Sequence, residues 1–242
     1  MCTEVCTEVC GPALMASAPG RRSPNPAARR TGLAGRRLLD TYAVLATRGE
    51  HLLHDLLGGQ VPRQWQHYPE DDSIDPDGGY QWFYHSHSPE DRPEAAEHGH
   101  FHLFARRPLW SRRMQSKTER AFAALTGNPG RQVATRHLLA VGMDAKGLPV
   151  SLFTVNSWVT GDLMLSASGT ARILADMHLR TGHDAIDTVL ECVVALCMDE
   201  IRMLLGARDT MLSAWKGRAV LEDTRLEILS HQAIALDAKL NA

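Results

Sequence analysis

The chain has 242 residues, 44% of them hydrophobic and 22% charged, with a net charge of −2. That balance excludes a disordered or collagen-like chain, and no apolar run is long enough for a transmembrane helix. Near-neutral charge gives no general argument for nucleic acid as a partner.

Residues 1–37 read as a disordered tail rich in cysteine, arginine and proline, with no acid between Glu8 and Asp40. Cys2, Cys6 and Cys10 form a four-residue repeat without the CxxC pairs of a zinc site. Cys192 and Cys197 lie in an apolar helical pattern. Five cysteines so placed are no disulfide framework, so the expected setting is the reducing cytoplasm. Residues 38–242 read as one α+β metal-binding domain.

Leu38, Leu39, Tyr42, Leu45, Leu52, Leu53 and Leu56 recur at helical spacing, and Gly58-Gly59 ends that helix. Glu70, Asp71, Asp72, Asp75 and Asp77 then fall in a Pro/Gly-marked stretch that reads as a solvated loop. Four strand-like segments follow, at 79–87, 98–106, 136–143 and 148–158, paired as two hairpins. A short helix over 116–126 separates the pairs. The C-terminal part reads as a helix over 170–179, a long apolar helix from His183 or Asp184 through Leu205, and a last helix near 222–240. The expected fold is a four-stranded antiparallel sheet of two hairpins, with the N-terminal helix and the C-terminal helices packed on one face.

The chemistry concentrates in the histidines. The chain has twelve, and His85, His87, His98, His100 and His102 lie within eighteen residues. Side chains alternate along a strand, so His85 and His87 share a face, as do His98, His100 and His102. Pairing His87 with His98 places His85 opposite His100 and Phe83 opposite His102, at Cβ separations of roughly 4.5–5.5 Å. Imidazoles so placed can converge on one ion; a slip of one residue destroys the convergence. Neutral imidazole suits zinc, copper, iron and nickel, whereas magnesium and calcium prefer oxygen. Glu97, beside these residues, is the expected catalytic carboxylate, as a base or as an acceptor for a ligand's ring. His137 opens a sheet strand and is the next histidine of interest; His51, His54, His183 and His231 read as ordinary.

At Tyr-His-Ser-His, Glu-His-Gly-His-Phe-His-Leu-Phe and Thr-Val-Asn-Ser-Trp-Val-Thr-Gly, the sequence resembles an uncharacterised bacterial domain family, over roughly residues 40–240. The resemblance implies no activity. The His-Phe-His string is similar to the zinc strand of α-type carbonic anhydrases over those three residues alone, a precedent for strand histidines holding a catalytic metal.

The sequence therefore predicts a metalloenzyme with one His-ligated transition metal (iron, copper or zinc), oxygen or redox chemistry being favoured over zinc hydrolysis. The alternatives are a non-enzymatic metal or haem binding and delivery protein, and a metal-free interaction protein dimerising through its C-terminal helices. The expected partner is a small-molecule substrate, with no nucleic acid and no membrane; a homodimer is compatible with the pattern.

Overall fold

The computed structural model describes residues 26–87, 97–127, 133–217 and 219–241. The tail cysteines Cys2, Cys6 and Cys10 and most of the 88–97 loop lie outside the described residues.

Helix α1 spans Pro26–Thr47. It starts well before Leu38, so residues 26–37, read above as tail, are helical. Proline suits the first turn, because the N–H it lacks has no partner there. Ala34, Leu38 and Leu45 form its buried stripe. The short α2 (His54–Leu57) ends at Gly58, whose φ of 56° is the left-handed C-cap that glycine provides.

Strands β1 (Tyr68–Ile74), β2 (Tyr80–Ser86) and β3 (Gly99–Arg106) come next. They are followed by the single-turn α3 (Arg107–Trp110) and by α4 (Lys117–Leu125). Strands β4 (Thr135–Met143) and β5 (Pro149–Val155) form the second hairpin. Then come α5 (Ser157–Thr160), the two-residue β6 (Leu163–Met164), α6 (Ala167–Ala175), α7 (Asp184–Leu196) and α8 (Met198–Ala214). Strand β7 (Ile228–Ala233) and the short α9 (Leu236–Leu240) close the chain.

The sheet has seven strands rather than four, six of them in the order β1-β2-β3-β4-β5-β7 and antiparallel, with β6 beside β4 in parallel. The three extra strands each broke a sequence rule. The acidic stretch at 68–74 is an edge strand, where charge discourages further pairing. The 228–233 segment extends along β5 instead of continuing a helix. Strand β6 is too short for a periodic signal. The long C-terminal helix is also interrupted: Cys197, at φ −108° and ψ 20°, separates α7 from α8.

Alternation divides the sheet into two faces. Trp82, Tyr84, Phe101, Leu103, Leu139, Val141, Met143 and Leu152 form one apolar core with α1, α6, α7 and α8. Trp82 is fully buried and donates its ring N–H to Asp187 at 3.0 Å, near the start of α7. The helices therefore cover one face, as expected. The other face carries the histidines.

Candidate metal centre

Strands β2 and β3 pair in the register expected from the sequence: Phe83 opposite His102 and His85 opposite His100, with the His87 amide donating to the His98 carbonyl at 3.2 Å. His85, His100 and His102 are all buried. His85 Nε2 lies 2.7 Å from His100 Nε2, which lies 2.9 Å from His102 Nε2. The potential ligand nitrogens of all three lie within 4.8 Å of one another.

Hydrogen bonding alone cannot satisfy this arrangement. An imidazole nitrogen carries either one N–H or one lone pair in the ring plane. His100 Nε2 faces two other nitrogens at hydrogen-bond length and can pair properly with one. A cation accepts lone pairs from all three. Nitrogens sharing a tetrahedral zinc at about 2.0–2.1 Å stand roughly 3.3 Å apart, so the rings need separate by only about half an ångström.

Burial reinforces the point. His102 is held well below the ordinary histidine range, first by desolvation and then by His137 and His85. His137 is pushed down to about 3 by desolvation, with Arg208 adding to the shift. Both rings are neutral at physiological pH, the state in which imidazole binds metal.

The remaining sequence-selected residues divide. His87 sits at the rim, its ring centroid 4.8 Å from that of His100 and 5.0 Å from those of His85 and Trp65. His98 leaves the face on which alternation placed it. It precedes the first residue of β3, so the pleat does not govern it, and its Nδ1 meets the Tyr84 hydroxyl at 3.2 Å. Glu97 reaches this face of the sheet over β4. Its carboxylate accepts from the Ser151 hydroxyl, stands 3.6 Å from His231 Nε2, and occupies the space over Gly142, the residue opposite His100. A Cβ at position 142 would lie 2.5 Å from the Glu97 carboxyl carbon. Only glycine leaves that room.

Three residues beyond the sequence-selected set complete the surroundings. Trp65, 60% exposed and at φ 64°, packs edge-on against His85 and His87. His67 stacks on Phe83 at 3.7 Å between centroids and pairs with Asp72 at 3.1 Å. His137 Nε2 lies 3.0 Å from His102 Nδ1. No pattern announced Trp65 or His67, because both lie before β1 in a segment without periodicity. His137 was visible, but simple alternation from Ala140 puts it on the helix-covered face.

Cys192, in α7, and Cys197, at the junction of α7 and α8, do not enter this chemistry. Burial pushes the Cys192 thiol up to about 11 and the Cys197 thiol up to about 12, so neither is a thiolate near neutrality. A separate groove of about 530 Å3 lies between α1 and α7 and contains none of the histidines. Its buried Glu191 is engaged by Arg37 at 3.0 Å and by His178 at 2.8 Å.

Residues 33–234 match the model of one family, the domain of unknown function DUF6969. The chain belongs to this family. The match spans the strands that build the histidine face and the helices α6, α7 and α8 that cover the other. No curated protein and no solved structure matches. Among the described residues, no helix is long and apolar enough to cross a membrane.

Proposed function

We propose that the chain is a metalloprotein in which His85, His100 and His102 hold one transition metal ion through their Nε2 atoms. The observation that carries this reading is the convergence of three buried imidazole nitrogens with no carboxylate among them, a donor set suited to zinc, copper or iron. Among the described residues the cluster supplies three ligands, and a three-ligand site with open coordination positions would be of the catalytic kind. When bound, the metal would supply Lewis-acid or redox chemistry.

The chain's own residues then have distinct tasks. Glu97, whose carboxylate accepts from the Ser151 hydroxyl over Gly142, the residue opposite His100, would serve as the proton acceptor. Phe83, Phe104 and Phe153 are buried beside the histidines and exclude water from the inner side of the trio. That dry aromatic lining favours an oxidoreductase acting on a small molecule. The neighbouring Glu97 favours zinc hydrolysis as the second reading. A non-enzymatic metal or haem carrier is the third. Under all three the protein works in the cytoplasm without nucleic acid or membrane partners, and the free thiols of Cys192 and Cys197 fit a reducing compartment.

The test is elemental analysis of protein purified without a histidine tag, beside His100→Ala and His102→Ala. One equivalent of iron, copper or zinc in wild type, lost in both variants, supports the reading. Wild-type protein that holds no metal, even after incubation with each ion, overturns it. Screening the loaded protein for oxidase and esterase activity then separates the catalytic readings from the carrier.

A further inference from the structure

His137 reaches the histidine face through a defect in the sheet. Strand β3 pairs Leu103 with Leu139, but the next residue, Phe104, pairs with His137. Leu138 is the extra residue of a β-bulge. Without it, His137 and Ala140, three positions apart, would point to opposite faces. With it, both lie on the histidine face, while Leu138 and Leu139 both enter the apolar core. Bulges next to active sites commonly re-aim one side chain in this way.

The side chain so aimed meets one group in particular. His137 Nε2 lies 3.0 Å from His102 Nδ1, and both residues are buried. A single proton sits between two neutral rings, and its position matters. If His137 donates it, His102 carries its own proton on Nε2 and turns an N–H toward His100, leaving two lone pairs at the common point. If His102 donates, its Nε2 lone pair joins those of His85 and His100. Metal-ligating histidines generally donate their second N–H to a fixed acceptor, which sets both tautomer and ring orientation.

We infer that His137 is a positioning residue: its Nε2 accepts the His102 Nδ1–H bond and thereby fixes the tautomer in which His102 can ligate a metal. The inference rests on the metal reading above and adds a residue that contacts no ion. A neutral acceptor fits this place. Phe104 packs edge-on against the His137 ring at 5.4 Å, and a carboxylate there would be buried beside an aromatic ring.

The test uses the full-length chain and zinc as the probe. Zinc affinity is measured by competition with a chromophoric chelator for wild type, His137→Leu and His137→Gln. A long-range proton–nitrogen spectrum of the zinc-loaded wild type reads the histidine tautomers. The expected results are three. His137→Leu weakens zinc binding about 10–100-fold. His137→Gln, whose amide oxygen can accept the same bond, stays within a few-fold of wild type. The His102 ring carries its proton on Nδ1. Equal zinc affinity in wild type and a folded His137→Leu, or a His102 proton on Nε2, overturns the inference and leaves the metal reading standing. Wild type that takes up no zinc, iron or copper removes both. If His137→Leu does not fold, the tautomer in wild type decides alone.

Discussion

The two faces of the β2-β3-β4-β5 sheet are built from alternating residues of the same strands, yet they obey different rules. The helix-covered face buries Trp82, Tyr84, Phe101, Leu103, Val141 and Leu152 against α1, α6, α7 and α8. Each contributes by removing apolar surface from water, about 25 cal/mol per Å2. The opposite face buries His85, His100, His102 and His137. A buried imidazole brings less apolar area and two nitrogens that need partners. Stability alone would fill these positions with valine or isoleucine. The first face accounts for the fold; the second carries a polar cost that a bound metal would offset.

The contrast breaks most sharply at Trp82. Trp82→Ala removes the largest fully buried side chain and one donor to Asp187. The expected loss is about 3–5 kcal/mol in chemical denaturation. Metal bound per folded molecule should not change. A metal-binding defect in protein that remains folded would show that the two faces are not independent.

Metal itself should act in the opposite sense. Adding zinc at a hundredfold excess over its dissociation constant should raise unfolding stability by about 2.7 kcal/mol, because an ion that binds only the folded state stabilises it. His100→Ala should abolish that increment while leaving the metal-free protein near wild-type stability. An undiminished increment in His100→Ala would place the ion elsewhere.

The faces should also fail at opposite ends of the pH scale. His102 and His137 have folded-state values below the ordinary 6.5, so the unfolded chain takes up protons first. Their stability is fully present above about pH 6.5. It is lost as pH falls toward the His137 value of about 3, by up to about 1.4 kcal/mol per pH unit for each ring. On the helix-covered face, burial pushes the Tyr80 hydroxyl up to about 12, and Tyr84 is raised in the same way. There the unfolded chain loses protons first, so stability falls as pH rises above 10. Urea titrations across pH measure both limbs. His137→Gln should flatten the acid limb and spare the alkaline one.

How much of this was legible beforehand follows from the same alternation. The β2-β3 pairing could be read because two His-x-His strings admit few registers that bring them together, and the structure adopts that register. The helices on one face were legible because Ile186, Val189, Leu190, Val193 and Val194 form a helical stripe. Strands β1 and β7 were not, because an edge strand buries too little for a period-two pattern to survive. His137 was missed as a neighbour of His102 because a bulge changes the phase of a strand without any mark in composition. His67 and Trp65 have no sequence signal because they reach the site from a segment that, among the described residues, meets the sheet through the single bridge Gln64–Ser86.

A smaller test probes the Glu97 niche. Gly142→Ala places a methyl group 2.5 Å from the Glu97 carboxyl carbon and closer still to the Ser151 hydroxyl oxygen, so the hydrogen-bonded Ser151–Glu97 pair must shift from its place over Gly142. The trio itself is untouched. Metal content should stay at one equivalent, while any turnover that uses Glu97 as proton acceptor falls to the level of Glu97→Gln. Loss of metal in Gly142→Ala would instead make Glu97 part of what holds the ion.

The smallest effect belongs to His98. Sequence alternation groups it with His100 and His102, but its ring meets the Tyr84 hydroxyl instead. Removing it takes away one partly buried hydrogen bond, worth about 0.5–1.5 kcal/mol. His98→Ala should therefore bind metal as wild type does and melt slightly earlier, whereas His102→Ala, four residues along the same segment, should bind none. Equal loss of metal in both would mean that the segment entering β3 turns His98 back toward the trio when the ion binds. Unchanged metal in His98→Ala shows that the pleat of β3, and not the density of histidines in the sequence, decides which rings meet.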